Sequence, residues 1–185
     1  MFQSRNRNRS EWIELERDVT CIQIPDGDDV HLKEGQKVRV HQELGGSFTL
    51  MTEWGYLVRL SGADADALGR EPSSAESQTD KDKPLEERVW DAMKQCYDPE
   101  IPINVVDLGL IYRCEIDQGD EGAVVDVDMT LTAPGCGMGD VIARDVKTAL
   151  ESLSGVAKAK VNIVFDPPWD RSMMSEAAML ELGFI

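Results

Sequence analysis

The pattern of hydrophobic and polar positions is clearest in the second half of the chain, where it begins with a helix. Its apolar residues recur every three or four positions; they are Leu85, Val89, Met93 and Cys96. Pro84 stands where a helix can begin. Asp98 precedes Pro99, and the helix is expected to end there because proline disfavours helical geometry in the preceding residue.

Strictly alternating segments follow and predict two strands joined by a turn over residues 118–122. The apolar positions of the first strand are Leu110, Tyr112, Cys114 and Ile116. Those of the second are Val125, Val127, Met129 and Leu131, with Asp126, Asp128, Thr130 and Thr132 on the opposite face. Such alternation is typical of half-buried antiparallel strands.

A loop over residues 133–139 leads to a second helix, and a third strand and a short closing helix over residues 174–182 complete this half. The inward positions of the second helix are Ile142, Val146, Leu150 and Leu153, and those of the third strand are Val161, Ile163 and Phe165. The order α-β-β-α-β-α around one central sheet predicts a small α+β domain over residues 84–185.

The first half has a different pattern. Residues 17–70 contain short alternating runs separated by turn residues, which predict a small all-β domain of about five strands. Residues 71–83 are rich in Ser, Asp and Glu and have no large apolar residue, so they are predicted to form a linker.

Charge restricts the partners. The 185 residues carry a formal charge of −16, and a surface this acidic repels phosphate backbones, which argues against nucleic acid. No apolar stretch is long enough to span a membrane, and no secretory signal begins the sequence.

Four scattered cysteines without a CxxC pair fit a reducing compartment. Cytoplasmic localisation is therefore expected.

Cys136 differs from the other three cysteines in its surroundings. It lies in a Pro-Gly-Cys-Gly loop directly before a predicted helix, whose N-terminus would stabilise a thiolate and lower its pKa. Cys96 and Cys114 occupy apolar positions, where a free cysteine behaves as a small hydrophobic residue. The alternative for Cys136 is a tight strand-to-helix turn in which the cysteine is incidental.

Polar residues around this loop are candidates for a supporting role, and two interpretations stay open for each. The acidic candidates are Asp98, Glu100 and Asp107; they would supply oxygen ligands or a general base, or would serve as helix caps and turn formers. Thr130 and Thr132 lie on the polar face of the strand that leads into the loop. Trp169 would be a lid over the loop or a packing plug.

Three ordered stretches carry a resemblance to a known family. They are DPEIPINVVDLGLIY at residues 98–112, MTLTAPGCG at residues 129–137 and DPPW at residues 166–169. Together they resemble the metal–sulfur cluster biosynthesis family over almost all of residues 84–185. Residues 17–70 resemble the N-terminal extension of the SufT-type members rather than the PaaD-type members.

The resemblance implies a non-enzymatic role in the assembly of iron–sulfur clusters and the maturation of iron–sulfur proteins. Its reactive cysteine corresponds to Cys136, and its acidic loop residues correspond to Asp98 and Glu100. The implied partners are the iron–sulfur assembly machinery and client apoproteins. No cofactor is expected to be stably bound, because stable clusters usually need four thiolates and one accessible thiol is predicted here. Cys136 would then ligate iron or a cluster transiently, across a homodimer, or together with a partner's ligands.

Two other functions remain open. One is a cysteine-dependent thiol-redox or acyl-transfer enzyme, against which stand the missing CxxC pair and the absence of any histidine after His41. The other is a PaaD-like accessory to one specific oxygenase.

Overall fold

The computed structural model describes residues 11–72, 82–98, 101–133 and 138–184. The chain divides into two compact units, with the boundary after residue 74. The predicted linker spans this boundary, but its residues 73–81 lie outside the described part of the chain. The predicted domain limits therefore stay predictions, and each unit is described by itself.

The first unit is a six-stranded antiparallel sheet with one hydrophobic core, in the order β1-β4-β5-β6-β2-β3. Its strands are β1 (Ile13–Glu14), β2 (Val19–Ile24), β3 (Asp29–Leu32), β4 (Lys37–Leu44), β5 (Ser47–Thr52) and β6 (Leu57–Leu60). A short 3₁₀ helix over Gly62–Leu68 follows, capped by the Ser61 side chain. The all-β prediction is confirmed, but the sheet begins before residue 17 because Ile13 and Glu14 pair with β4.

The second unit has the predicted order α-β-β-α-β-α and a three-stranded sheet, so its α+β class is confirmed. Its elements are α1 (Leu85–Met93), β7 (Ile111–Gly119), β8 (Gly122–Met129), α2 (Gly139–Glu151), β9 (Val156–Ile163) and α3 (Glu176–Glu181). The central strand is β8, which pairs antiparallel with β7 and parallel with β9. None of the described helices has the length and apolar character needed to cross a lipid bilayer.

Burial follows the predicted alternation along β8 and departs from it just beyond the strand. Residues from Ala123 to Met129 alternate between buried and half-buried, which places the odd-numbered side chains in the core. Thr130 was predicted on the polar face but is only 1% exposed, because the strand has ended at Met129 and the alternation no longer applies. Phe165 was predicted to point inward, yet β9 ends at Ile163 and Phe165 is 52% exposed.

The two cysteines that were predicted at apolar positions of this unit differ in burial. Cys96 is in the core, as predicted, and its thiol contacts the Ala92 carbonyl oxygen at 3.7 Å. Cys114 is only half-buried, which corrects its assignment to the core. The reason is the position of β7 at the edge of the sheet, where neighbouring side chains cover a strand on fewer sides.

Candidate functional site

The pairing of the strands brings three connecting segments to one edge of the sheet. β8 and β9 are parallel, so their carboxyl ends meet there, and the Val164 amide donates to the Met129 carbonyl at 2.8 Å. β7 is antiparallel to β8, so its first residues lie at the same edge. The Thr130 amide donates to the Leu110 carbonyl at 2.8 Å. This edge is the candidate site.

The loop after β8 carries Cys136, and its middle residues 134–137 lie outside the described part of the chain. The role of Cys136 therefore stays a prediction, while the two ends of the loop are described. Leu131 packs against Gly139, where an added Cβ would collide with the Leu131 side chain. The two described ends of the loop are therefore in contact, and a side chain at residue 139 would require Leu131 to shift.

Helix α2 begins three residues after Cys136. Its first residue is Gly139, and the preceding Met138 makes no side-chain cap hydrogen bond. The first amide groups of a helix have no partner inside the helix, and they attract negative charge. Asp140 in the first turn is one such charge. Stabilisation of a Cys136 thiolate by this field stays a prediction, because residue 136 lies outside the described part of the chain.

The segment before β7 is a hydrogen-bonded loop in which the predicted acidic residues take part. Asp98 is 7% exposed, and its carboxylate accepts the Ile101 amide at 3.2 Å. Tyr97 and Asn104 form an isolated bridge that closes the loop. Asp107 accepts the side-chain amide of Asn104 at 2.5 Å. Both aspartates thus stabilise the loop itself, while Glu100 lies outside the described residues.

The segment after β9 is fixed onto this loop and onto the start of β7. The Trp169 indole donates to the Leu108 carbonyl at 2.8 Å, and the Tyr112 hydroxyl donates to the Pro167 carbonyl at 2.9 Å. Gly109 has a φ of 71°, and a Cβ there would collide with the backbone of Met173. Trp169 is half-buried in this arrangement, and its role as a lid or as a packing residue stays a prediction because residues 134–137 lie outside the described part of the chain.

The described residues of the predicted site lie in the segments that meet at this edge, whereas Cys136 and Glu100 lie outside the described part of the chain. Thr130 is buried, and Thr132 is half-exposed at the start of the Cys136 loop. Within the described ranges, no group of three or more His, Cys, Asp or Glu side chains is placed to hold a metal ion.

Cys21 and Cys114 are poorly suited to ionise. Burial raises the pKa of the Cys21 thiol to about 12, with a further contribution from Asp64. Burial and the nearby Glu86 also raise the pKa of Cys114. Both therefore remain thiols at neutral pH, and only a thiolate is a good nucleophile or metal ligand.

Sequence reasoning missed three contributors to this edge: Tyr112, Gly109 and Gly139. Tyr112 was read as an apolar position of a strand, although its hydroxyl holds Pro167. Gly109 stands in the sequence Leu-Gly-Leu, and Gly139 stands in Gly-Met-Gly. A glycine inside an apolar run is a recognised sign of close backbone approach. That sign could have identified Gly109.

Comparison with known proteins identifies the family. The profile of the family described as "Iron-sulfur cluster assembly protein" matches residues 86–163, within the second unit. The "Fe-S protein maturation auxiliary factor" of Porphyromonas gingivalis is 51% identical over 100 residues, which cover 54% of this chain and 92% of that protein. The chain belongs to the iron–sulfur cluster assembly protein family. The predicted resemblance is confirmed at the level of the family.

A second relative and one solved structure are also similar to this chain. The "Fe-S protein maturation auxiliary factor SufT" of Staphylococcus aureus is 49% identical over 86 residues, 46% of this chain and 94% of that protein. A crystal structure of a "Domain of Unknown Function DUF59" from Bacillus anthracis is 31% identical, with a TM-score of 0.48 over 55% of this chain and 93% of that one.

The comparison with SufT also bears on the first unit. The 86 matched residues make up 94% of the S. aureus protein. The unmatched part of that protein is therefore too short to form a unit the size of residues 11–72. The prediction that this unit is an extension typical of SufT-type members therefore finds no counterpart in this relative.

Proposed function

We propose that this protein is a maturation factor for iron–sulfur proteins that acts through protein contacts and through the thiol of Cys136. The observation that carries the proposal is the 51% identity to the P. gingivalis maturation factor, which extends over 92% of that protein. The iron–sulfur assembly machinery and client apoproteins are the proposed partners. The scattered cysteines support the cytoplasm as the proposed compartment.

The chemistry that we assign to Cys136 is transient ligation of iron or of a cluster as cargo. Thiolate is a soft ligand that suits iron–sulfur clusters, and a position before the α2 N-terminus favours the thiolate. The raised thiol pKa values of Cys21 and Cys114 and the burial of Cys96 make these three poor additional ligands. We therefore propose that no cluster is held permanently and that further ligands come from the recipient protein.

Asp98 and Asp107 support this role indirectly. Their hydrogen bonds hold the loop before β7 in shape, and that loop in turn holds the segment after β9 through Leu108 and Trp169. We propose that this framework presents the Cys136 loop to a partner protein. A catalytic alternative has less support, because the second unit has no histidine to act as a base for the thiol.

A complementation experiment tests the proposal. A strain that lacks this protein is supplied with the wild type, with Cys136→Ser, or with Cys114→Ser as a control at the half-buried thiol of the same unit. The activities of two iron–sulfur dehydratases and of one enzyme without a cluster are measured at equal protein levels. We expect Cys136→Ser to fail for the iron–sulfur enzymes alone, because serine stays protonated at neutral pH and binds iron poorly.

The Cys136→Ser protein should have an unfolding midpoint close to that of the wild type, because the substitution hardly changes size. Full rescue by this variant would contradict the assigned role of Cys136. A loss with Cys114→Ser as large as the loss with Cys136→Ser would contradict it as well.

A further inference from the structure

The outer edge of β7 is unpaired within the described ranges. β7 pairs with β8 on one side, and no described strand pairs with its other side. The strand is nine residues long, and after a register shift between Ile111 and Arg113 it pairs regularly with β8 from Arg113 to Gly119. A long edge strand presents a row of backbone N–H and C=O groups, which is a template for pairing with another strand.

A groove with a mixed polar and apolar lining runs beside this edge. It lies between α1 and β7 and has a volume of about 450 Å³; its lining consists of Leu85, Glu86, Trp90, Cys114, Ile116 and Gln118. Cys114 and Ile116 are half-buried, whereas Val125 and Val127 on the neighbouring β8 are fully buried. The helix-side surface of β7 is therefore incompletely covered at the place where the edge is unpaired.

The opposite edge of the sheet differs in charge. β9 carries Lys158 and Lys160, both exposed, and lysines on an edge strand oppose pairing with a further strand. On β7, the corresponding exposed positions carry both signs of charge. The two edges are therefore unequal, and β7 is the one suited to pairing.

We propose that β7 pairs antiparallel with β7 of a second copy of this chain, with Cys114 at the centre of the pair. The two sheets would then form one continuous sheet with the helices of both copies on the same side. The proposal concerns an interface between copies and does not depend on the function assigned to Cys136.

The charges on the open face of the sheet select this register. Paired residues share a face, so in the register centred on Cys114 the Arg113 of each copy lies opposite Glu115 of the other. Centring on Arg113 or on Glu115 would place that residue opposite itself. Centring on Ile116 would place Glu115 opposite Asp117. Only the Cys114 register pairs opposite charges without directly opposed like charges.

The Arg113 side chain is already held in position by hydrogen bonds within its own chain. Its guanidinium donates to Asp128 at 2.7 Å and to Asp126 at 3.2 Å, and it also contacts Glu115 of its own strand at 2.6 Å. An arginine has five N–H donors, so it can add a contact to a second copy. Because the side chain is already fixed, less conformational entropy is lost on binding.

Light scattering on the full-length protein over a range of concentrations tests the dimer. Glu115→Lys would place a lysine opposite Arg113 twice in the dimer, and we expect the dimer dissociation constant to rise about tenfold or more. The matched control is Glu121→Lys, which makes the same charge change in the β7–β8 turn and should leave the constant unchanged. Far-UV circular dichroism verifies that both variants fold.

Cross-linking tests the register. In a Cys136→Ser background, which removes any dimer joined through that residue, a short bismaleimide should link the two Cys114 thiols. The link should disappear in Cys114→Ser. A monomer at all concentrations would overturn the proposal, as would a dimer unaffected by Glu115→Lys or one that does not cross-link through Cys114.

Discussion

Gly109→Ala should be strongly destabilising, because two separate costs fall on the same residue. Gly109 has a φ of 71°, and left-handed geometry costs a residue with a Cβ about 1–2 kcal/mol. An alanine Cβ would also lie 2.6 Å from the carbonyl carbon of Met173 and still closer to its oxygen. Backbone atoms cannot rotate away as a side chain can, so overpacking should add about 1–3 kcal/mol.

The control for this prediction is Gly183→Ala in the same unit. Gly183 has a φ of 74°, and a Cβ there would meet nothing within 4 Å. It therefore carries the left-handed cost without the collision. The gain from restricting the unfolded chain is common to both glycine-to-alanine changes and cancels between them. The difference between the two variants thus measures the approach of the Met173 backbone to Gly109.

The assay should report on the second unit alone. Hydrogen exchange of β8 peptides in increasing urea serves this purpose, because β8 is the central strand of that unit. We expect the free energy of unfolding to fall by about 2–5 kcal/mol for Gly109→Ala and by about 1–2 kcal/mol or less for Gly183→Ala. Equal losses would refute the close contact between the loop before β7 and the segment after β9.

Three further predictions concern the same unit. Trp169→Phe should cost about 1 kcal/mol in urea unfolding, since it removes the indole hydrogen bond to Leu108; an unchanged midpoint would contradict this. Arg113 holds the pKa of Asp128 below its ordinary 3.8, so the stabilisation is complete above that pH and is lost as the pH falls through the lowered value. Asp128→Asn should therefore weaken the dependence of the free energy of unfolding on pH at acid pH. An unaltered pH dependence would show that the Arg113–Asp128 pair contributes nothing to stability. In native protein, Cys114 should react with a maleimide more slowly than Cys136, because the pKa of the Cys114 thiol is raised. Mass spectrometry of labelled peptides measures the two rates, and faster labelling of Cys114 would contradict the prediction.

Local periodicity was sufficient to predict the elements of the second unit. Along β8, the alternation of apolar and acidic residues predicted which side chains are buried, because in a strand neighbouring side chains point to opposite faces. The same rule failed at Thr130, which follows the last residue of the strand and is buried. It also failed in part at Cys114, because no local pattern states whether a strand is central or at an edge.

The sequence by itself therefore determined the order of the elements, the class of the second unit and, through three ordered stretches, its family. Only the tertiary structure decided which segments meet. The parallel pairing of β8 with β9 places the start of the Cys136 loop and the residues around Trp169 at one edge. Contacts such as that of Trp169 with Leu108 join residues 61 positions apart. Such contacts depend on strand order and register, which arise from the packing of the whole unit and leave no periodic signal in the chain.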